Sequence, residues 1–300
     1  MSATETASIA APRTSSKPSA PNRRGQLSRP LSLLLISPLI LLLGWAFFLP
    51  IGRLLLTSFT KPSPGLANYA RIWSQPLYVE VFLRTLWIAG ACTALALLVG
   101  YPVAMLMART GRMAKIATVC VLVPLWTSVL IRSYAWIILL DRNGLINNWL
   151  AGAGITAKPL KMLYTDGAVL VAMTHVLLPF MVLPIATSLK GLPADLPRAA
   201  LNLGASHLRV FFSIILPLSM PGVFAGCLIV FVMSLGFYVT PALLGGPQTL
   251  MIATLIGQQA LELLNWPFAG ALSLVLLVLS LGITITFKRL LKLDRVVAND

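Results

Sequence analysis

Ionisable side chains are scarce in this chain of 300 residues, and several of them interrupt long apolar segments. Glu80 and Arg84 are four residues apart, which suits an ion pair on one face of a helix. Arg132 can either extend its guanidinium to an interface with water or face the interior of a helix bundle. His175 is more typical of a hydrogen-bonded packing residue than of a proton relay. These groups suit ion pairing and contact with a polar solute.

Two adjacent aromatic residues, Phe237 and Tyr238, precede Pro241 in a further apolar segment. A proline there predicts a broken helix, and broken helices line transport paths because their free backbone groups need protein or water beside them. Aromatic faces also attract ammonium groups. We therefore predict that Phe237 and Tyr238 line a path for a solute, although simple packing against neighbouring helices is the alternative. Arg132 and Glu80 are further candidates for the same path.

The sequence contains no pattern for catalysis or metal binding. It has two histidines and no HExxH, no GxSxG and no GxxxxGK followed by Ser or Thr. Cys92, Cys120 and Cys227 lie inside apolar runs without CxxC spacing, which predicts buried thiols rather than a disulfide or zinc framework. The chain is therefore predicted to have no catalytic residue, no metal site and no cofactor of its own.

The composition places these residues in a membrane. Hydrophobic residues make up 58% of the chain and charged residues 10%, whereas soluble domains average about 45–50% and about 25%. The net charge of +15 does not indicate nucleic acid, because the lysines and arginines lie between the apolar runs, where they set membrane topology. The sequence therefore predicts an integral protein of the lipid bilayer without a nucleic-acid partner.

Six apolar segments are each close to the roughly 20 residues that cross the hydrocarbon core. They are Leu31–Leu56, Val79–Met107, Ile116–Leu140, Ala168–Leu189, Gly222–Leu244 and Pro267–Leu291. The predicted fold class is all-α, a polytopic membrane protein with six transmembrane helices in a domain of residues 31–291. Residues 1–30, rich in Ser, Ala, Thr and Pro, are predicted to be a disordered cytoplasmic tail, and residues 292–300 a C-terminal cytoplasmic tail.

Charge distribution predicts the orientation. Most of the 23 lysines and arginines fall in the N-terminal tail, in alternate connections and after the last span, which places both termini in the cytoplasm. Four acidic residues then fall at the outer interface: Glu80, Asp141, Asp166 and Glu262. They either form an acidic mouth that concentrates cations or are solvated loop carboxylates.

The connection between the fourth and fifth spans, residues 190–221, is the most informative part of the sequence. Five residues in it mark helix starts and stops: Pro197, Gly204, Ser206, Pro217 and Pro221. Pro197 suits the first turn of a short helix, Gly204 its stop, and Ser206 the cap of a second short helix. The two later prolines are expected to break the chain before it re-enters the membrane. A cytoplasmic connection of this size predicts a docking surface.

The connection contains Ala199-Ala200-Leu201-Asn202-Leu203-Gly204-Ala205-Ser206, followed by Ile215-Leu216-Pro217. This pattern resembles the EAA loop of bacterial ABC importer permeases. In that family the loop is a coupling helix that seats in a groove of the cytoplasmic ATPase. The resemblance implies this coupling role for seven residues: Arg198, Ala199, Ala200, Gly204, Ala205, Leu216 and Pro217. Arg198 stands where the family usually has Glu, so the charge at that position is reversed.

Further motifs lie along the rest of the chain: Gly100-Tyr-Pro102, Arg132-Ser-Tyr-Ala-Trp136, Asn143-Gly-Leu-Ile-Asn147, Leu163-Tyr-Thr165, Leu178-Pro-Phe-Met-Val-Leu-Pro184, Pro241-Ala-Leu-Leu-Gly-Gly246 and Asn265-Trp-Pro267. Together they resemble those of the spermidine/putrescine-type permeases. The resemblance is to the first of two permease subunits in such an importer of the bacterial inner membrane. It implies a polyamine solute, while an opine-like or aminophosphonate solute stays open.

The same resemblance implies the partners. They are a homodimer of cytoplasmic ATPase subunits that binds ATP and Mg, a second homologous permease subunit and an extracytoplasmic substrate-binding protein. A secondary transporter or channel is the alternative from another class, and it would need no coupling loop. A membrane-embedded enzyme lacks a catalytic constellation in this sequence.

Overall fold

The computed structural model describes residues 29–61 and 64–290, and the chain divides into two units, residues 1–51 and 52–300. The predicted tails lie outside the described residues, apart from Arg29 and Pro30, which begin helix α1 (Arg29–Thr60). In the first unit the large apolar side chains of α1 are mostly exposed, from Leu35 to Phe48. Apolar side chains exposed along such a length suit contact with lipid.

Helices and short turns form the rest of the described chain. The helices are α2 (Ala67–Ser74), α3 (Pro76–Ala108), α4 (Arg112–Leu122), α5 (Val129–Leu140), α6 (Leu145–Gly152), α7 (Asp166–Lys190), α8 (Asp195–Asn202), α9 (His207–Val210), α10 (Leu216–Leu235), α11 (Val239–Leu244), α12 (Ile252–Gly257) and α13 (Trp266–Leu290). Two 3-10 turns, Val123–Trp126 and Pro247–Thr249, and two π-helical turns, Phe211–Ile215 and Gln258–Glu262, connect some of them.

Four of the predicted spans correspond to single long helices, α1, α3, α7 and α13, whose ends differ from the predicted ones by four residues or fewer. The all-α polytopic fold is therefore confirmed. The other two predicted spans differ from the structure: one is bent, and the other begins and ends earlier in the chain.

The third predicted span, Ile116–Leu140, is not one straight helix. The helical stretch from Arg112 ends at Trp126, and α5 begins after a bend of 104°. Pro124 lies in the 3-10 turn that ends the first part, and the Ser128 hydroxyl accepts a hydrogen bond from the Leu130 amide to start the second. A proline in the last turn and a new N-cap together explain the break.

The bent pair still makes a single passage through the bundle. Helices α3 and α7 run side by side in the same direction, with Cys92 beside Thr174 and Gly100 beside Met181. The chain between them must therefore return along the bundle once. With α4 and α5 counted as one passage, the described chain makes six, the number predicted.

The fifth predicted span, Gly222–Leu244, is displaced toward the N-terminus. A continuous helical stretch runs from His207 to Leu235, so Pro217 and Pro221 do not break it as predicted. The π-helical turn before α10 hydrogen-bonds the Leu216 amide to the Phe211 carbonyl. A π turn shifts the backbone hydrogen-bond pattern of the helix by one residue. The backbone N–H group that Pro217 lacks therefore falls where this pattern changes, and the helix continues through the proline. The end of the predicted span is a separate helix, α11.

Helices α3, α7 and α10 form the centre of the second unit. Helix α10 runs antiparallel to α7, with Gly226 against Met181 and Gly222 against the turn of Pro184 to Ser188. A Cβ atom added at Gly222 would lie 2.6 Å from the Pro184 carbonyl oxygen. Small residues allow membrane helices to approach this closely.

We expect Gly222→Ala to destabilise the folded protein, because the added methyl group meets backbone atoms that cannot move aside. The cost should be about 1–3 kcal/mol, as for overpacking of a core. The measurement is the unfolding transition of the purified protein in detergent. Gly90→Ala is the matched control, since Gly90 also lies in a long helix and its added Cβ meets no atom within 4 Å. Equal stability of the two variants would contradict the packing described here.

Candidate functional site

The connection between α7 and α10 forms a compact, exposed projection. We refer to the end of the bundle where α7 finishes and α8 follows as the α8 end. Helix α8 has no buried residue, and Leu203 and Leu208 are 88% and 72% exposed. Arg198 and Arg209 are exposed beside them. Exposed leucines flanked by cations at one surface are typical of a docking surface.

Gly204 ends α8 in the predicted way. It has a φ of +85°, and its amide donates to the Leu201 carbonyl, while the Ala205 amide donates to the Ala200 carbonyl. This pair of bonds is the Schellman arrangement, which satisfies the last carbonyls of a helix and favours glycine. The Ser206 hydroxyl then caps α9 by accepting from the Arg209 amide. The chain therefore turns sharply between two helices.

The structure brings together only part of the predicted coupling set. Arg198, Ala199 and Ala200 lie on α8, and Gly204 and Ala205 form its stop. Leu216 and Pro217 instead begin α10, inside the continuous helix that enters the bundle. Their coupling role stays a prediction, and their position gives them a connection to α8 through the helix rather than a place on the same surface.

Phe237 and Tyr238 lie in the break between α10 and α11. Because the chain is not helical there, the side chains of these two adjacent residues line different cavities. Phe237 lines a cavity of about 530 Å³ together with Trp126, Arg132 and Phe180. Tyr238 lines a cavity of about 560 Å³ near the start of α3, at the end of the bundle opposite α8.

Arg132 lies beside the middle of α7. Its Nη1 atom donates to the Val176 carbonyl oxygen at 3.4 Å, which is a long hydrogen bond. Its Nε atom is buried and has no hydrogen-bond partner among the described residues. Of the two alternatives left open by the sequence, the structure therefore favours the inward-facing one, with the guanidinium on the wall of the Phe237 cavity.

Glu80 stands apart from the other predicted path residues. Its carboxylate forms an ion pair of 2.8 Å with Arg84 one helical turn away, and its side chain is 65% exposed. It lines neither the cavity of Phe237 nor that of Tyr238. The sequence alternative of a simple i,i+4 pair describes its observed contacts.

Two further side chains line the Tyr238 cavity and were not predicted as site residues. Gln258 and Glu262 lie on the π-helical turn that follows α12. The Glu262 carboxylate has no ion pair or hydrogen bond among the described residues. By sequence Glu262 is one of four outer acidic residues, and its place in the lining of the Tyr238 cavity distinguishes it from the other three.

The hydrogen bond between Ser133 and Thr240 fixes the two walls of these cavities. The hydroxyl oxygens are 3.0 Å apart and both residues are fully buried, so the bond joins α5, which carries Arg132, to α11. The His175 side chain also has a hydrogen-bond partner, because the Trp136 Nε1 group donates to its Nδ1 atom at 3.2 Å. This contact agrees with the predicted packing role of the histidine.

Comparison with known proteins agrees with this architecture. Residues 96–292 match the family described as binding-protein-dependent transport system inner membrane component. The chain is 38% identical over 250 residues to the spermidine/putrescine transport system permease protein PotB of Escherichia coli, covering 79% of this chain and 90% of the relative.

Two solved structures share the fold at low sequence identity. A bacterial ABC transporter that imports the acidic polysaccharide alginate aligns with a TM-score of 0.69 and 18% identity, over 87% of this chain and 94% of that chain. The bacterial alginate ABC transporter in complex with an alginate pentasaccharide-bound periplasmic protein aligns with a TM-score of 0.68 and 19% identity, over 86% and 93%.

A double-mutant cycle tests the bond between the cavity walls. We expect Ser133→Ala and Thr240→Val each to lower the free energy of unfolding, and the pair to show a coupling energy of about 0.6–1.7 kcal/mol, the range of interhelical hydrogen bonds in membranes. Unfolding in detergent provides the measurement. Additive losses in the double variant would show that the two hydroxyls do not interact.

Proposed function

The chain belongs to the family of binding-protein-dependent transport system inner membrane components, and from that premise we propose that it is the permease subunit of an importer for polyamines such as spermidine or putrescine. The observation that carries the proposal is the 38% identity to a spermidine/putrescine permease over 90% of that protein's length. The aromatic residues in the broken segment before α11 support it, because aromatic rings attract ammonium groups.

The energy for transport comes from a partner in this proposal. The sequence has no GxxxxGK motif followed by Ser or Thr, so the chain lacks a phosphate-binding loop of its own. A homodimer of cytoplasmic ATPase subunits binds ATP and Mg and docks on α8, where the exposed leucines and the Schellman turn offer a rigid projection. Arg198, in place of the usual Glu, then faces the ATPase groove with a positive charge.

Two further partners complete the importer. A second homologous permease subunit covers the cavities that line the broken segment and completes the path. A substrate-binding protein delivers the solute from outside. The family description and the complex of the alginate transporter with a periplasmic protein both support this partner.

The charge at the α8 end of the bundle supports the proposed orientation. At the α8 end, the described basic residues are accompanied by a single acidic one, Asp195: they are Arg109, Arg112, Lys115, Lys190, Arg198, Arg209, Lys288 and Arg289. Positively charged connections remain in the cytoplasm. In the proposed orientation the α8 end and both termini are cytoplasmic, and the Tyr238 cavity opens toward the outer side of the inner membrane.

One observation favours a second solute class within the same kind of importer. Arg132 lines the Phe237 cavity and has no carboxylate among the residues that line it. A guanidinium in such a place suits an anionic group on the solute. An opine or an aminophosphonate would carry that group together with an ammonium group.

Uptake measurements on the complete importer in proteoliposomes test the proposed solute. We expect ATP-dependent uptake of spermidine and putrescine, and little uptake of an opine or of an aminophosphonate supplied at the same concentration. Uptake of the opine or aminophosphonate alone would overturn the polyamine assignment and leave the importer assignment standing.

Coupling through α8 is tested by Gly204→Leu. A leucine at a φ of +85° is strained by roughly 1–2 kcal/mol and adds bulk to the docking surface, so we expect assembly with the ATPase and transport to be lost while membrane insertion persists. Gly154→Leu is the matched control. Gly154 also has a positive φ, +71°, with no atom within 4 Å of an added Cβ. It lies in the connection between α6 and α7, outside the α8 connection. Equal transport by the two variants would contradict the coupling role.

A further inference from the structure

The cavity of Tyr238 carries a negative charge that nothing in its wall neutralises. Its lining includes Glu262, Gln258 and Thr254, and neither lysine nor arginine lines it. The Glu262 carboxylate makes no ion pair or hydrogen bond with the described residues. An unpaired carboxylate in a recess beside an aromatic ring is suited to a cation.

The local fold places the amide and the carboxylate on one side of their turn. The Leu263 amide donates to the Gln258 carbonyl at 3.0 Å, which is the five-residue hydrogen bond of a π helix. A π turn holds more than four residues, so residues four apart, such as Gln258 and Glu262, are separated by about one turn and lie on the same side of the helix. Both therefore line the same wall, and π turns are frequent at functional sites.

Gly257 seats the tyrosine ring beside this turn. A Cβ atom added at Gly257 would lie 2.6 Å from the Cε2 atom of Tyr238, so the ring occupies the space that a side chain would take. Gly257 immediately precedes Gln258 in the chain. Tyr238 remains 44% exposed, which leaves part of it open to the cavity.

The two cavities beside the broken segment therefore differ in charge. Arg132 lines the Phe237 cavity, whereas Glu262 lines the Tyr238 cavity. The Tyr238 cavity also includes Leu77, the second residue of α3, and so lies at the end opposite α8. A cation arriving from that end meets the favourable cavity first.

We propose that Tyr238, Gln258 and Glu262 form an outer subsite that holds one ammonium group of the solute before it passes the Phe237 cavity. The carboxylate and the amide oxygen accept hydrogen bonds from the ammonium group, and the ring contributes its negative face. This subsite rests on the proposed function and specifies it, because it requires a solute with an ammonium group. Adjacent Phe237 and Tyr238 then act at different stages of passage.

Uptake kinetics of the complete importer with labelled spermidine test the subsite. We expect Glu262→Gln to raise KM about fivefold at low ionic strength, the effect of losing one partly exposed charge pair, with a smaller increase at high salt. The turnover at saturating spermidine should change less than KM. The ATPase rate of the complex without solute shows that the variant assembles.

Asp141→Asn is the matched control. Asp141 is also exposed, follows α5 and lines neither cavity, so its loss changes the net charge of the protein equally. A general effect of outer carboxylates would raise KM in both variants and would overturn the specific subsite. We expect a raised KM in Glu262→Gln alone.

Gly257→Ala is a second, independent variant. It leaves every proposed ligand group in the chain but displaces the Tyr238 ring, so KM should rise again, while Gly90→Ala should not change it. Wild-type uptake of spermidine with an unchanged KM in Glu262→Gln would overturn the subsite alone. A wild-type importer that takes up no polyamine would overturn the proposed function and this subsite with it.

Discussion

The close contact between α7 and α10 is the constraint on which both candidate sites depend. Gly222 and Gly226 allow the two helices to approach because neither places a side chain in the contact. The same two helices are joined by the α8 connection at one end. At the other end α10 leads directly into the break that holds Phe237 and Tyr238. One continuous helical stretch, His207 to Leu235, therefore connects the α8 end to the break that holds both aromatic residues.

The break after α10 is stable because its backbone groups find partners. The Phe237 amide donates to the Ser234 carbonyl, and the Ala242 amide donates to the Tyr238 carbonyl. The buried bond between Ser133 and Thr240 fastens the next helix to α5. Interrupted helices within a membrane are tolerated only beside protein or water. Here the two residues of the interruption line two different cavities.

Local features of the sequence were sufficient for much of the fold. Apolar length predicted six passages, because spanning depends on composition over about 20 residues. The stop at Gly204 and the cap at Ser206 were predicted because each depends on the backbone preference of a few neighbours. The continuous helix through Pro217 was missed, since the π turn that accommodates the proline has no clear sequence signal.

The sequence by itself determined that this is a polytopic membrane protein with a structured connection after its fourth span, because membrane burial and turn chemistry act over short stretches of chain. The resemblance of its motifs to those of importer permeases added the transport role. Only the tertiary structure decided that Phe237 and Tyr238 face different cavities and that Glu262 lines the second. These arrangements depend on contacts between distant residues, such as the Tyr238 ring over Gly257 and the bond from Ser133 to Thr240. Helix packing sets those contacts, and no local pattern specifies them.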